Sequence, residues 1–133
     1  MKTKIFCDSA DFITIKKLSK NPLVSGFTTN PSLMRLSGAK NYKNYSLRIL
    51  KVCKKKPISL EVFGDTSNQM LRQAMIINSW GKNVYVKIPV VNSRGAFSGK
   101  VIRDLSQKGI KLNITAVYTV QQVKKILKKI KKK

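Results

Sequence analysis

The stretch Asn83-Val84-Tyr85-Val86-Lys87-Ile88-Pro89 decides the fold and the chemistry expected of this chain. Its β-branched residues favour a strand, and a strand turns successive side chains to opposite faces. The three aliphatic residues therefore share one face, and Lys87 lies on the other face with Tyr85. A lysine removed from water favours its neutral amine, which can attack a carbonyl carbon and form a Schiff base. The alternative is a solvated lysine on the wet face of an antiparallel strand.

Segments with strand character alternate along the chain with segments of helical periodicity. This alternation predicts βα units and a parallel sheet. No linker interrupts it, so residues 1–133 are predicted to form a single domain. The predicted strands are 4–8, 26–29, 58–63, 83–89 and 112–116; the predicted helices are 9–19, a short helix from Pro31, 41–55, a helix that Ser67 or Asn68 caps, 99–107, and a last helix that Thr119 caps.

Polar side chains occupy the same alternate positions in all five predicted strands. Opposite the aliphatic positions come Asp8, Thr28, Asn30, Ser59, Glu61, Lys87, Asn113 and Thr115. In a parallel (β/α) barrel of TIM type, this set would point into the barrel near the carboxyl ends of the strands, where barrel enzymes place their chemistry. An open doubly wound sheet fits less well, because it buries both faces and needs continuous apolar strands. The sequence therefore predicts an α/β fold with a TIM-type barrel.

The polar set suits the cleavage of a C–C bond beside a ketone. Lys87 would form an iminium, and Asp8 could take a proton from the hydroxyl β to the iminium carbon. Glu61 and Thr115 could position a water molecule for the proton transfers that make and break the imine. These four residues are the candidate catalytic residues.

Three further residues of the set are candidates for substrate binding. Asn30 and Asn113 could hold sugar hydroxyls by amide hydrogen bonds, and Thr28 is placed with them. Simpler interpretations remain open at this point: Asp8 could be a helix cap, and Asn30 a turn residue before Pro31.

Composition limits the function further. The chain has 28 basic and 5 acidic residues, and this net charge of +23 suggests a polyanion such as nucleic acid as partner. Nucleic-acid readers lean on arginine and aromatic platforms, whereas the basic residues here are mostly lysine, as an A-rich genome would produce. Those lysines are spread over the helices, apart from the clusters Lys54-Lys55-Lys56 and Lys131-Lys132-Lys133. Nucleic acid is therefore a secondary alternative.

Absent residue types and segments exclude other functions. The chain has no histidine, which excludes Ser-His and Cys-His catalysis and the usual zinc sites. Neither a metal nor another cofactor is expected. No apolar stretch approaches the roughly 18 residues of a membrane span, and no signal peptide is recognisable. We therefore expect a cytoplasmic protein without a membrane partner.

At these residues the sequence resembles the transaldolases, class I Schiff-base aldolases with a (β/α)8 barrel. The matching segments are Phe6–Ala10, Gly26–Leu33, Ser59–Val62, Val86–Pro89 and Asn113–Thr115. The resemblance implies transfer of a dihydroxyacetone unit between sugar phosphates in the non-oxidative pentose phosphate pathway. It implies Lys87 as the Schiff-base lysine, Asp8 as acid/base, Glu61 and Thr115 as holders of the catalytic water, and Asn30 as a substrate ligand. The similar fructose 6-phosphate aldolases tend to have glutamine where this chain has Glu61, which favours transaldolase.

The length departs from the pattern of that family. Eight βα units usually need about 200 residues or more, and 133 residues give five predicted strands. We therefore expect an incomplete barrel of about five of eight units, from a C-terminally truncated chain without the family's phosphate-binding arginines. The alternatives are an inactive basic fragment that binds polyanions, and a homo-oligomer that pairs its open sheet edges with another copy.

Overall fold

The structure, a computed structural model, describes residues 3–130 of the chain. Strands and helices alternate along this part, and the predicted C-terminal lysine cluster, residues 131–133, lies outside it. The elements are β1 (Ile5–Asp8), α1 (Phe12–Leu18), β2 (Val24–Thr28), α2 (Pro31–Leu36), α3 (Tyr42–Val52), β3 (Ile58–Glu61), α4 (Ser67–Asn78), β4 (Val84–Pro89), α5 (Gly99–Gln107), β5 (Leu112–Thr115) and α6 (Val120–Leu127).

Within residues 3–130, five parallel strands form one sheet in the order β1-β2-β3-β4-β5. Between β3 and β4 the N–H groups of Ile58 and Val62 donate to the carbonyls of Asn83 and Lys87, at the constant sequence offset of a parallel pair. Neighbouring strands are consecutive in sequence, and helices connect them. This is the connectivity of a TIM-type barrel, with five of its eight βα units. The predicted fold class is therefore confirmed.

The described residues divide into two compact units. The first comprises residues 3–61 and 80–84, and the second comprises residues 62–79 and 85–130. Fully buried side chains of the first unit include Ile15, Phe27, Met34 and Ile49. Those of the second unit include Met70, Val86, Ile88, Ile102 and Leu105. Each unit therefore has its own apolar core, and the single domain of residues 1–133 stays a prediction.

Strand β4 has the alternation that the sequence predicts. Its residues are buried and half-buried in strict turn, and Val86 and Ile88 are completely buried. Lys87 lies between them on the half-buried face. Strand β1 differs, because Ile5 is 56% exposed although its parity predicts a buried position. Within residues 3–130, β1 is an edge strand of the sheet, so in this part of the chain it pairs with β2 alone.

Side-chain caps set most helix boundaries, and one predicted cap is wrong. Helix α4 is capped by Thr66 rather than by Ser67 or Asn68. The Thr66 hydroxyl accepts from the Gln69 N–H at 3.3 Å, and the Gln69 side chain accepts from the Thr66 N–H at 3.1 Å. This reciprocal capping box satisfies two N–H groups at once, which a cap at either later residue could not do with the same glutamine. The helix therefore begins at Ser67.

The last helix, α6, leaves most of its apolar side exposed. Within the described residues only Ile126 of that side is buried, and the helix lies against α5. Val120, Val123, Leu127 and Ile130 are each at least 41% exposed. None of the helices within residues 3–130 is long and apolar enough to cross a bilayer.

Substitution of Gly26 on β2 tests the packing of the first unit. A Cβ there would lie 2.6 Å from the Phe6 ring and 2.8 Å from the Pro57 carbonyl oxygen. The Gly26 backbone is outside the left-handed region, so alanine would suffer from the clash alone. We expect Gly26→Ala to lower the free energy of unfolding by about 1–3 kcal/mol in urea titrations. The neighbouring control Ser25→Ala should change it by less than about 0.5 kcal/mol. Equal values for the two variants would contradict this packing.

Candidate active site

In the first unit, Asp8 and Thr28 form a hydrogen-bonded pair. They lie opposite each other where β1 and β2 end, and the Thr28 hydroxyl donates to Asp8 Oδ1 at 2.8 Å. This hydrogen bond holds the Asp8 carboxylate in place. Asp8 is exposed, so the carboxylate is also open to solvent. The cap of α1 is Asp11, whose carboxylate accepts from the Thr14 N–H at 2.7 Å. The alternative interpretation of Asp8 as the cap of that helix is therefore wrong.

Asn30 has a structural role that the sequence allowed. It is the N-cap of α2, and its Oδ1 accepts from the Leu33 N–H at 2.8 Å, with Pro31 in the first helical turn. The carbonyl half of the amide thus holds the helix start. The NH2 half is the part that suits donation to a sugar hydroxyl.

Tyr42 fixes the backbone at Glu61, a role that the sequence analysis missed. The Tyr42 hydroxyl accepts from the Glu61 N–H at 2.8 Å and donates to the Glu61 carbonyl at 3.0 Å. Its ring lies 6.0 Å from the Trp80 ring, centroid to centroid. Burial raises the pKa of Tyr42 well above its ordinary value, so the phenol keeps the proton that it donates. Helical periodicity showed Tyr42 only as an apolar contact, and nothing in the pattern revealed the partner of its hydroxyl.

In the second unit, Lys87 and Asn113 lie side by side. They are register partners in the parallel β4–β5 pair, and Thr115 takes the same position opposite Pro89. Register partners on neighbouring strands, about 4.8 Å apart, turn their side chains to the same face. The structure thus brings Lys87, Asn113 and Thr115 to one half-buried face.

The backbone directly after Thr115 is strained. Ala116 has a φ of 58°, in the left-handed region that residues other than glycine rarely adopt. Such strain is more common at functional sites than elsewhere, because the surrounding structure must hold it. The strand end that carries Thr115 is therefore a defined position rather than a relaxed turn.

A carboxylate clamp that the sequence analysis missed joins two loops of the second unit. Asp65 follows β3 and Ser93 follows β4. The Asp65 carboxylate accepts from the Ser93 N–H at 2.7 Å and from its hydroxyl at 2.8 Å. The Asn92 side chain adds a bond of 3.3 Å to the Asp65 carbonyl. The two Ser93 bonds lower the pKa of Asp65. This clamp holds the loop that follows the lysine-bearing strand.

No cluster of three His, Cys, Asp or Glu side chains that could hold a metal ion occurs within the described part of the chain. Each unit instead gathers organic functional groups. The first holds a carboxylate with a hydroxyl, and the second holds an amine beside an amide and a hydroxyl. Groups of these types can perform proton transfer and nucleophilic attack on a carbonyl.

Comparison with known proteins assigns the family. The sequence profile of the Transaldolase/Fructose-6-phosphate aldolase family matches residues 5–132. The chain belongs to this family. The transaldolase resemblance of the segments around Asp8, Asn30, Glu61, Lys87 and Thr115 is thereby confirmed at the level of the family.

Curated relatives agree with this assignment. The chain is 36% identical over 119 residues to a probable transaldolase of Dehalococcoides mccartyi, covering 90% of this chain and 53% of that protein. It is 36% identical over 121 residues to probable transaldolase 2 of Listeria monocytogenes, covering 90% of this chain and 52% of that protein. A probable transaldolase of Herpetosiphon aurantiacus is 33% identical over 119 residues, covering 90% of this chain and 51% of that protein. The chain thus spans about half the length of the curated transaldolase relatives that it matches.

Tyr42→Phe tests the support of Glu61. The variant keeps the ring but removes the hydroxyl that bonds both backbone groups of Glu61. We expect the free energy of unfolding to fall by about 1–3 kcal/mol, the usual cost when a buried hydrogen-bonding group loses its partner. Urea titration measures this change. Tyr118→Phe is the matched control. Because Tyr118 is 88% exposed, removal of its hydroxyl should leave the free energy of unfolding almost unchanged.

Asp65→Asn tests the clamp through the pH dependence of stability. A carboxyl whose folded pKa is lowered stabilises the fold above its ordinary value of 3.8, and this contribution disappears as pH falls through the folded pKa. The wild type should therefore lose more stability than Asp65→Asn between about pH 6 and about pH 2. Urea midpoints across that range measure the difference. Parallel curves for the two proteins would contradict the clamp. Ser93→Ala, which removes one of the two bonds, should fall between them.

Proposed function

We propose that this chain performs transaldolase-type chemistry, in which the Lys87 amine attacks the ketone carbon of a sugar phosphate and forms a Schiff base. The placement of Lys87 carries the proposal. Val86 and Ile88, completely buried on either side, hold Lys87 on the opposite face of β4, beside its register partner Asn113. A lysine so placed projects from a fixed face of the sheet, and its amine is a candidate nucleophile for covalent catalysis. Membership of the transaldolase family supports the same residue.

The proposed reaction starts with condensation of the Lys87 amine and the ketone, which releases water and leaves a cationic iminium. Asp8 takes the proton from the hydroxyl β to the iminium carbon. The C–C bond then breaks, the aldose phosphate leaves, and the bonding electrons remain as an enamine on Lys87. The enamine attacks the aldehyde carbon of a second aldose phosphate, and Asp8 returns its proton to the aldehyde oxygen. Water then hydrolyses the new iminium and frees the lysine. The role of Asp8 rests on the family resemblance, and its bond from Thr28 fits an oriented carboxylate.

The remaining roles follow the same proposal. Glu61 and Thr115 hold the water that carries protons while the imine forms and breaks. Asn30 and Asn113 bind sugar hydroxyls through their amides, with Thr28 as a further substrate contact. Tyr42 is a positioning residue, because it reaches Glu61 only through the backbone.

Transfer between sugar phosphates is favoured over simple cleavage. The reported relatives carry the name probable transaldolase, and Glu61 stands where the similar aldolases tend to have glutamine. A transferase needs an acceptor, so dihydroxyacetone should stay on the enzyme until an aldose phosphate arrives. A place in the pentose phosphate pathway and a cytoplasmic location belong to the same proposal.

Borohydride trapping tests the Schiff base. Purified protein is incubated with fructose 6-phosphate, reduced with borohydride, and examined by intact mass and peptide mapping. We expect a reduced adduct on Lys87 that Lys87→Ala abolishes, because borohydride converts an iminium into a stable secondary amine. Lys111→Ala is the matched control, since this exposed lysine directly precedes β5 and should leave the adduct unchanged.

Circular dichroism first verifies that all three proteins are folded. A folded wild type without an adduct would contradict the proposal, and so would an adduct that survives Lys87→Ala. Release of free dihydroxyacetone without an acceptor, at the same rate as with one, would favour the aldolase reaction instead.

A further inference from the structure

A cavity of about 250 Å³ in the first unit is lined mainly by lysines. It lies between the end of α1 and the end of α3, in the connections that lead into β2 and β3. The lysines around it are Lys20, Lys51, Lys54, Lys55 and Lys56. The cluster Lys54-Lys55-Lys56, which catalysis by Lys87 leaves unexplained, thus belongs to a concave surface and not to a flat one.

No acidic residue offsets this charge along the surrounding sequence. Residues 12–60 contain neither aspartate nor glutamate, and Lys16 and Lys17 in the last turn of α1 add to the positive charge. Burial raises the pKa of the Cys53 thiol, which also lines the cavity, so the thiol stays uncharged and contributes no negative charge. The cavity therefore lies in a strongly positive field.

Two helix ends point toward this cavity, and their carbonyls carry partial negative charge. Some carbonyls at these ends, and in the turns that follow them, already have donors. The Lys56 ammonium donates to the carbonyls of Leu18 and Asn21, and the Asn83 side chain donates to those of Cys53 and Lys56. Lys56 is thus a structural residue of the cavity wall.

The other four lysines of the cavity are not needed for this capping. Lys20, Lys51, Lys54 and Lys55 are exposed, and within residues 3–130 their ammonium groups form neither hydrogen bonds nor ion pairs. Without a bound anion, the ammonium groups of these lysines repel one another. A multiply charged anion would relieve that repulsion at all four lysines together.

We propose that this cavity binds a compact anion with two or more phosphate groups. Lysine ammonium groups are point charges with several donors, which suits phosphate oxygens in many orientations. Nucleic acid is disfavoured, because neither an aromatic ring for base stacking nor an arginine fork for base edges lines the cavity. The volume also suits a small ligand better than a polymer.

The cavity is separate from the residues proposed for sugar phosphate chemistry. Asp8, Thr28 and Glu61 close β1, β2 and β3, whereas the cavity lies where the chain enters β2 and β3. Strands of four or five residues, at about 3.3 Å per residue, separate the two ends by about 13–17 Å. The proposed site is therefore additional to the catalytic one.

Calorimetric titration with inorganic tripolyphosphate at about 0.15 M salt tests the proposal, since that ionic strength screens diffuse attraction. The variant Lys51→Gln/Lys54→Gln/Lys55→Gln removes three cavity charges at exposed positions. The control Lys108→Gln/Lys124→Gln/Lys128→Gln removes three exposed charges from the second unit. We expect the cavity variant to bind about tenfold more weakly than wild type, and the control to change affinity less than about twofold. Lys87→Ala should bind like wild type.

Four results would overturn the proposal. Equal weakening in the two triple variants would mean that net charge alone attracts the anion. Absence of binding to the folded wild type would exclude a phosphate site, and loss of binding in Lys87→Ala would place the anion at the catalytic lysine. Single-stranded RNA that binds the wild type and the cavity variant equally well, and more tightly than tripolyphosphate, would show that the positive charge serves nucleic acid elsewhere. Circular dichroism of each variant controls for folding.

Discussion

The alternation of side chains along β4 is the constraint on which the rest of the structure depends. Val86 and Ile88 are completely buried, and burial of side chains of this size stabilises a fold by about 1.5–3 kcal/mol each. A slip of one residue in register would expose both and bury Lys87 in their place, at a large electrostatic cost. The same burial that stabilises the second unit thus also fixes the direction of Lys87. Asn113 and Thr115 follow from it, because the parallel register transmits the orientation to β5.

Most strands and helices could be predicted from the periodicity of the sequence. The features that could not be predicted depend on contacts between residues that are far apart in the chain. Strand β4 and helix α5 were predictable, since each has an unbroken period and a clear stop signal. The N-cap of α4 was mispredicted because several adjacent polar residues, Thr66 among them, could each cap the helix. The clamp between Asp65 and Ser93 spans 28 residues, so no local pattern contains it. The sequence placed Thr28 and Asp8 on the same predicted face of the sheet. It gave no indication that Tyr42 bonds to Glu61, because those residues are also far apart in the sequence.

The first unit has different chemistry at the two ends of its strands. Asp8 and Glu61, two of the chain's few acidic residues, close β1 and β3, and the lysine-lined cavity precedes β2 and β3. Parallel strands with helical connections impose this division, because all βα loops lie at one end and all αβ loops at the other. The proposed anion site thus lies away from the residues that close the strands.

Oxygen exchange is the most direct test of the proposed Schiff base between Lys87 and a ketose phosphate. Each reversible condensation replaces the ketone oxygen with one from solvent, whether or not a C–C bond breaks. Fructose 6-phosphate labelled with ¹⁸O at its ketone is incubated with the protein, and mass spectrometry follows the label. We expect the wild type to lose the label well above the rate without protein. Folded Lys87→Arg, which keeps the charge but lacks a nucleophilic amine, should lose it at the background rate. Loss at the background rate with folded wild type, or equal exchange by both proteins, would contradict the proposed Schiff base.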